Sequence, residues 1–228
     1  MEPDRVPLKA LHDESRILSA VLWQAGPEDF NRPTNCPPWN LGELVVHIAM
    51  SIHLGDDDLP AATPGSGVMS AADYYRRAER HTAAYRQSNI DRTRQEASGL
   101  LATTSPAQWF EEVYQDTVTR LSRLDLSRLV QIPSCGPMKL ADWVITRVIS
   151  VAAHGLDVAL TLGIEPWTCR PALDITRPAL VSLLGTEPPA GLGWDDRTLL
   201  AAGTGRRPLT HHERTVLGPL QHRFPLLS

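Results

Sequence analysis

The 228-residue chain is short of several things, and each shortage excludes a class of protein. It has no basic excess. Its 22 Lys and Arg stand against 26 Asp and Glu, for a net charge of −4, so nothing in the balance would neutralise phosphates and nucleic acid is not an expected partner. It has three cysteines, Cys36, Cys135 and Cys169, odd in number and far apart. They make neither a disulfide framework nor a CxxC metal knuckle. No uninterrupted apolar run approaches the roughly 20 residues that cross a bilayer, so no membrane is expected. The opening residues, MEPDRVPLKALHDESR, are charged throughout and read as neither a signal peptide nor a transit peptide. A cytoplasmic location follows as the expectation. No convincing alternating strand and no internal repeat are visible.

What the chain does have is helical periodicity. With 42% hydrophobic and 21% charged residues it is long enough to bury one main core without staples. Over residues 6–24, Leu8, Leu11, Ile17, Leu18, Val21 and Leu22 fall at helical spacings, and Gly26 and Pro27 end the segment. Asn40 with Glu43 three residues later forms a capping box, predicting a helix over 41–54 that stops at Gly55. The stretch DDDLPAATPGSG is an exposed loop whose acid run is a solvated surface. A third helix is predicted over 71–88, which the polar SNIDRTRQEAS either extends or breaks. A fourth follows Thr104-Ser105-Pro106 to about residue 124, since Pro suits a first turn. IPSCGPM is expected to be a loop, and a fifth helix covers 139–162 and ends at Gly163. Beyond Pro166 short helical pieces alternate with Pro/Gly loops, the last opening on Thr210 and Glu213 in capping-box register. The fold class is all-α: an antiparallel bundle over residues 1–165, with a helical tail over 166–228 packed on it.

Chemistry concentrates on the fifth helix. Trp143, Arg147, Ser150, His154 and Asp157 follow at steps of four, three, four and three, which places all five on one stripe. Buried polar groups are costly unless paired, so this stripe lines a cavity or a polar network. On the second helix His47 lies among Leu44, Val45, Val46, Ile48 and Ile52, with Glu43 one turn before it. Facing helices of a bundle build metal sites from such side chains. The bland alternative is a satisfied core histidine. Trp39 and Trp143 read as core packing before substrate stacking. His53, His81 and His222 have no comparable setting, and the adjacent His211 and His212 read as surface residues.

CPPWNLGELVVHIA, with Cys36, Pro37, Trp39, Glu43 and His47, resembles the mycothiol-dependent maleylpyruvate isomerase family of the DinB-like superfamily. MKLADWVITRVISVAAHGLDVAL is similar to that family's later helix, at Trp143, Arg147, His154 and Asp157. The ending from GLGWDDRTLL onward is similar to the tail of many members. The resemblance implies a four-helix bundle holding a divalent metal, usually zinc, on a His of the second helix and a Glu and a His spaced E-x3-H on the later one. His47 and His154 match, and the Glu position falls on Ser150. A serine hydroxyl is neutral and a poor zinc ligand, so this departure weakens metal binding. Asp157, Glu43 and, from the first helix, Glu14 or Asp13 are the carboxylates that would have to substitute.

The resemblance also implies the chemistry. A metal would lower the pKa of a bound thiol. A mycothiol thiolate then adds to an activated double bond, allows rotation and is expelled; the same thiol serves S-transfer. Arg147 would face a substrate carboxylate, or form a salt bridge to Asp157 or another bundle partner. Without metal, His47 and His154 would act as general acid and base with Ser150 as a hydrogen-bond donor, in an isomerase, cyclase or lyase acting on a small metabolite, or the cavity would only bind one. The expected partner throughout is a small molecule, a carboxylate or a conjugated metabolite.

Overall fold

The computed structural model describes residues 5–55, 59–62, 67–133 and 135–227 and is all-α apart from one hairpin. In chain order the helices are α1 (Val6–Leu22), α2 (Leu41–Ile52), α3 (Ala71–Arg76), α4 (Ala83–Leu100) and α5 (Pro106–Ser122), followed by the hairpin β1 (Leu129–Ile132) and β2 (Gly136–Lys139). After the hairpin come α6 (Leu140–Leu162), α7 (Arg170–Leu184), α8 (Asp196–Gly203) and α9 (His211–Leu217).

α1, α2, α5 and α6 pack on one another as the bundle. Their apolar stripes meet in a core that includes Leu11, Leu18, Leu44, Ile48, Phe110 and Val148, all buried. Local chemistry sets the helix ends. Asn40 Oδ1 accepts from Glu43 N at 2.8 Å, and Glu43 Oε2 accepts from Asn40 N at 3.0 Å, the reciprocal capping box expected there. α6 ends at Gly163, whose φ of +70° is the left-handed conformation a helix C-terminus favours in glycine.

Three expectations change. Residues 71–88 are not one helix: α3 stops at Arg76, a short 3-10 turn spans Ala78–His81, and Thr82 restarts the chain by accepting from Tyr85 N at 3.1 Å. The polar stretch 88–98 therefore continues α4, held by a cap where no apolar stripe exists. The flanks of IPSCGPM pair as an antiparallel hairpin, Leu129 with Lys139 through Ile132 with Gly136. Four residues per strand, one of them Pro137, are too few to show alternation, although Val130, Ile132 and Met138 enter the core. Finally, α6 is long and apolar enough to cross a membrane by length and composition, which a search for uninterrupted apolar runs passes over. Two thirds of that window (67%) is buried within the fold, as in a core helix. The acid run Asp56–Asp58 lies outside the described residues.

The tail is tied to the bundle at several points, two of them away from the site. Ile149 and Ala152 of α6 join Leu173, Leu180, Leu184, Leu199 and Leu226 in a second apolar cluster. Glu14, fully buried on α1, accepts at Oε2 from Cys169 N at 2.8 Å, at the N-cap of α7. The carboxylate considered above as a metal ligand thus pins a helix start.

Candidate active site

A cavity of about 570 Å3 opens between α2, α4, α6 and the turn after α8. The α6 stripe forms its floor: Arg147, Ser150 and His154 are half-buried and line it, while Trp143 and Asp157 are buried at its two ends. α2 contributes His47 and Ser51.

His47 and His154 come together as the resemblance implied, their rings edge to face with centroids 5.3 Å apart. Trp39 stacks on His47 at 4.3 Å, so this buried tryptophan belongs to the core and backs the site histidine. Thr93 of α4 lies 3.3 Å from His47 Nδ1 and orients the ring. Burial pushes His47 down to about 3, and the nearby His154, Arg147, Arg92 and Arg80 act in the same direction, so the ring is neutral at pH 7.

Asp157 is the hub. Its Oδ2 lies 2.9 Å from His154 Nδ1, accepts from Cys36 Sγ at 3.1 Å and from an Arg206 terminal nitrogen (Nη2) at 2.7 Å. Arg206 Nε reaches Oδ1 at 3.1 Å, and its other terminal nitrogen donates to the Thr204 carbonyl at 2.8 Å. Burial alone would raise the Asp157 carboxyl, but His154 and Arg206 hold it well below the usual carboxylate range. Burial lowers His154 against the opposing pull of Asp157, leaving it neutral as well. The short contact to an anionic oxygen assigns the imidazole proton to Nδ1, which leaves Nε2 as an acceptor. Burial, with Asp157 beside it, pushes the Cys36 thiol up to about 12, so it keeps the proton it donates.

Arg147 forms no salt bridge with Asp157. It donates to the Ser51 carbonyl at 2.6 Å, to the Tyr74 hydroxyl at 3.1 Å and to Thr146 Oγ1 at 2.9 Å, and its charge lies over the Trp143 ring. Ser150 Oγ pairs with Ser51 Oγ at 3.1 Å, and no hydrogen bond joins it to His154. Glu43 remains in its capping box, with Arg94 3.5 Å from its other oxygen.

Several residues and contacts of the site escape a reading of the sequence. Arg206 sits 49 residues from Asp157, and Cys36 sits 121 away, so no local pattern links them. Arg80, Arg86, Asn89, Arg92 and Thr93 also line the cavity. The helical spacing of 86, 89, 92 and 93 was the available signal, hidden in a stretch without apolar periodicity.

Two donor sets bear on a metal. The first is His47, His154 and the Ser150 hydroxyl. The second is Cys36, His154 and Asp157, whose ligand atoms all lie within 4.8 Å of one another. In the second set a guanidinium is already seated: Arg206 bonds Asp157 and lies 3.3 Å from His154 Nδ1 and 4.0 Å from Cys36 Sγ.

Comparison with curated proteins and with solved structures finds no match. Residues 11–159, well over half of the chain, match the family described as the mycothiol maleylpyruvate isomerase N-terminal domain. That span runs from α1 nearly to the end of α6 and takes in both histidines and the hub carboxylate. The chain belongs to the mycothiol maleylpyruvate isomerase N-terminal domain family.

Proposed function

We propose that this chain is a cytoplasmic small-molecule enzyme in which His154, held by Asp157, takes the proton of a thiol bound in the cavity, for thiol-assisted isomerisation or S-transfer, without a resident zinc. The observation that carries this reading is the 2.9 Å pairing of His154 Nδ1 with a buried carboxylate, on a neutral ring that lines the cavity. A carboxylate on Nδ1 fixes the tautomer and stabilises the imidazolium that forms when Nε2 accepts a proton.

The donor sets do not fit a resident zinc. The first offers two neutral imidazoles and a neutral hydroxyl engaged with Ser51, with no anionic ligand. The second would need the Cys36 thiol to lose a proton that burial and Asp157 hold in place. It would also need the Arg206 guanidinium to leave its carboxylate, stranding a cation. Glu43 and Asp157 are each committed elsewhere, to the α2 cap and to Arg206.

A thiol cofactor of the mycothiol type does fit, since a cavity of about 570 Å3 accommodates a ligand of that class. Ser51, Ser150 and Asn89 offer it hydrogen bonds. When bound, such a cofactor supplies the nucleophile. In isomerisation His154 Nε2 takes the thiol proton and returns it when the thiol is expelled; in S-transfer the sulfur stays on the acceptor, the leaving group departs, and His154 passes the proton to that group or to solvent. Arg206 lies beside the ring and Arg147 lines the same cavity, and both favour the negative charge as it develops. His47, stacked on Trp39 and tethered to Thr93, closes the floor beside the reacting sulfur.

A test independent of the natural substrate uses mycothiol as donor and chlorodinitrobenzene as acceptor. Conjugation above the buffer rate, unchanged by a chelator and reduced about a hundredfold in His154→Ala, is the expected result. Chelator-sensitive turnover, or an unimpaired His154→Ala, overturns it.

A further inference from the structure

We propose that the substrate held in this cavity alongside the thiol is a phosphorylated small molecule, gripped at the mouth by Arg86 and Arg92 of α4. The inference rests on the reading of the cavity as the substrate site.

Five arginines, Arg80, Arg86, Arg92, Arg147 and Arg206, line one cavity in a chain whose net charge is −4, and among the described residues no Asp or Glu lines it. Of the five, Arg206 alone has a counter-ion among the described residues, Asp157. Arg147 is satisfied by neutral acceptors, the Ser51 carbonyl and the Tyr74 hydroxyl. Arg80 donates to the Tyr85 hydroxyl at 2.7 Å and lies over the rings of Tyr74, Tyr75 and Tyr85. These neutral partners take up part of each guanidinium's donors and do not cancel its charge. The side chains of Arg86 and Arg92 make no hydrogen bond or ion pair with any described residue, and the Asn89 side chain between them is equally unengaged.

Placement comes next. Residues 86, 89 and 92 recur every three positions, so they share one face of α4, the face that lines the cavity. α4 buries only Thr93 and Ala97 along its 18 residues, so no apolar seam closes this face against the floor. Arginines aimed across a cavity at other arginines repel one another until an anion lies between them.

Charge count then selects the class. Four of the five positive charges lack a counter-charge among the described residues; a dicarboxylate, or one phosphate group alone, would cancel no more than half of them, whereas a ligand carrying two phosphate groups would cancel most. A phosphate group brings nearly two charges and three acceptor oxygens, and the guanidinium fork matches it in bidentate geometry. At the half-open mouth such a group stays partly hydrated, which limits the desolvation that a buried polyanion would suffer.

The test is calorimetric titration with inorganic pyrophosphate, and with succinate as the dicarboxylate, of the full chain and of Arg86→Gln/Arg92→Gln. Binding is read without thiol or turnover, so a failure of the proposed thiol chemistry leaves this measurement untouched, and the reverse. Pyrophosphate is expected to bind the parent at least about tenfold more tightly than succinate, to weaken with added salt, and to lose at least about tenfold in the double variant. Both substitutions are at exposed positions, and an unchanged thermal midpoint shows that the variant is folded. Three results overturn the proposal: no pyrophosphate binding, equal binding by the double variant, or succinate binding as tightly as pyrophosphate. The last would make the ligand a dicarboxylate.

Discussion

The cavity has two kinds of wall. On the floor, built by α2, α6 and the turn after α8, the ionised groups are answered inside the protein: Arg206 by Asp157, Arg147 by the Ser51 carbonyl and Tyr74. On α4, the side chains of Arg86 and Arg92 have no answering group among the described residues. α2 buries eight of its 12 residues, and α4 buries two of its 18. One residue type therefore does two jobs in a single cavity. On the floor arginine locks helices together; on α4 it is left for something outside the chain.

The sharpest way to break this contrast is at the hub. Asp157→Asn strands the half-buried Arg206 cation and is expected to cost about 3 kcal/mol in urea unfolding. The pH dependence carries the same information. Folding depresses the Asp157 carboxyl, so the folded state binds fewer protons there than the unfolded chain. Its contribution is full above the ordinary carboxylate value, about 3.9, and is lost as pH falls below that toward the folded value. The parent should lose stability on acidification over this window more steeply than Asp157→Asn does. A variant as stable as the parent, with the same acid slope, would mean that the hub does not hold the floor.

A smaller effect is expected at Arg147. The Ser51 carbonyl it bonds lies in the last turn of α2, where backbone oxygens lack helical partners and the helix end is negative. Arg147→Met removes a charged donor from this acceptor and from Tyr74, for about 2 kcal/mol in the same experiment. Smaller again is Gly205→Ala. Gly205 has φ +75° immediately before Arg206, and an added Cβ would lie 3.2 Å from Pro225 Cβ. The left-handed conformation costs an L residue about 1 kcal/mol. The loss should be reduced when Arg206 is also replaced, because this turn serves to aim that side chain. Full additivity of the two substitutions would break the link.

The floor was far more legible in the sequence than α4. The steps from Trp143 to Asp157 mark one helix face, and polar residues on an otherwise apolar helix announce a cavity before any coordinates exist. His47 was legible for the same reason, set in a run whose neighbours are all buried. Arg206 was not, because its role depends on a tertiary approach to Asp157 across 49 residues. Nor was the break between α3 and α4, where the decisive feature is one threonine cap in a stretch with no hydrophobic period. The hairpin escaped because two four-residue strands hold too few positions to display a period of two. Arg147 was legible as a site residue but not in its partners, which lie on α2 and α3.

The smallest effect on stability is expected where the effect on ligand is largest. Arg86→Gln and Arg92→Gln should shift unfolding by no more than about 0.5 kcal/mol, since neither side chain has a partner to lose. Amide hydrogen exchange gives the finer measurement. A helix that buries only Thr93 and Ala97 opens locally at a lower free energy than one packed like α2, so α4 amides should exchange faster than those of α2. An anion bridging Arg86 and Arg92 to the floor would add attachment points that α4 lacks by itself. Saturating pyrophosphate should therefore slow exchange in α4 more than in α2, and this difference should vanish in the double variant. Equal protection in the two helices would mean that the ligand stabilises the fold as a whole. Slow exchange in α4 without any ligand would mean that its polar contacts already hold it as firmly as an apolar seam holds α2, and the two walls would differ in charge but not in strength.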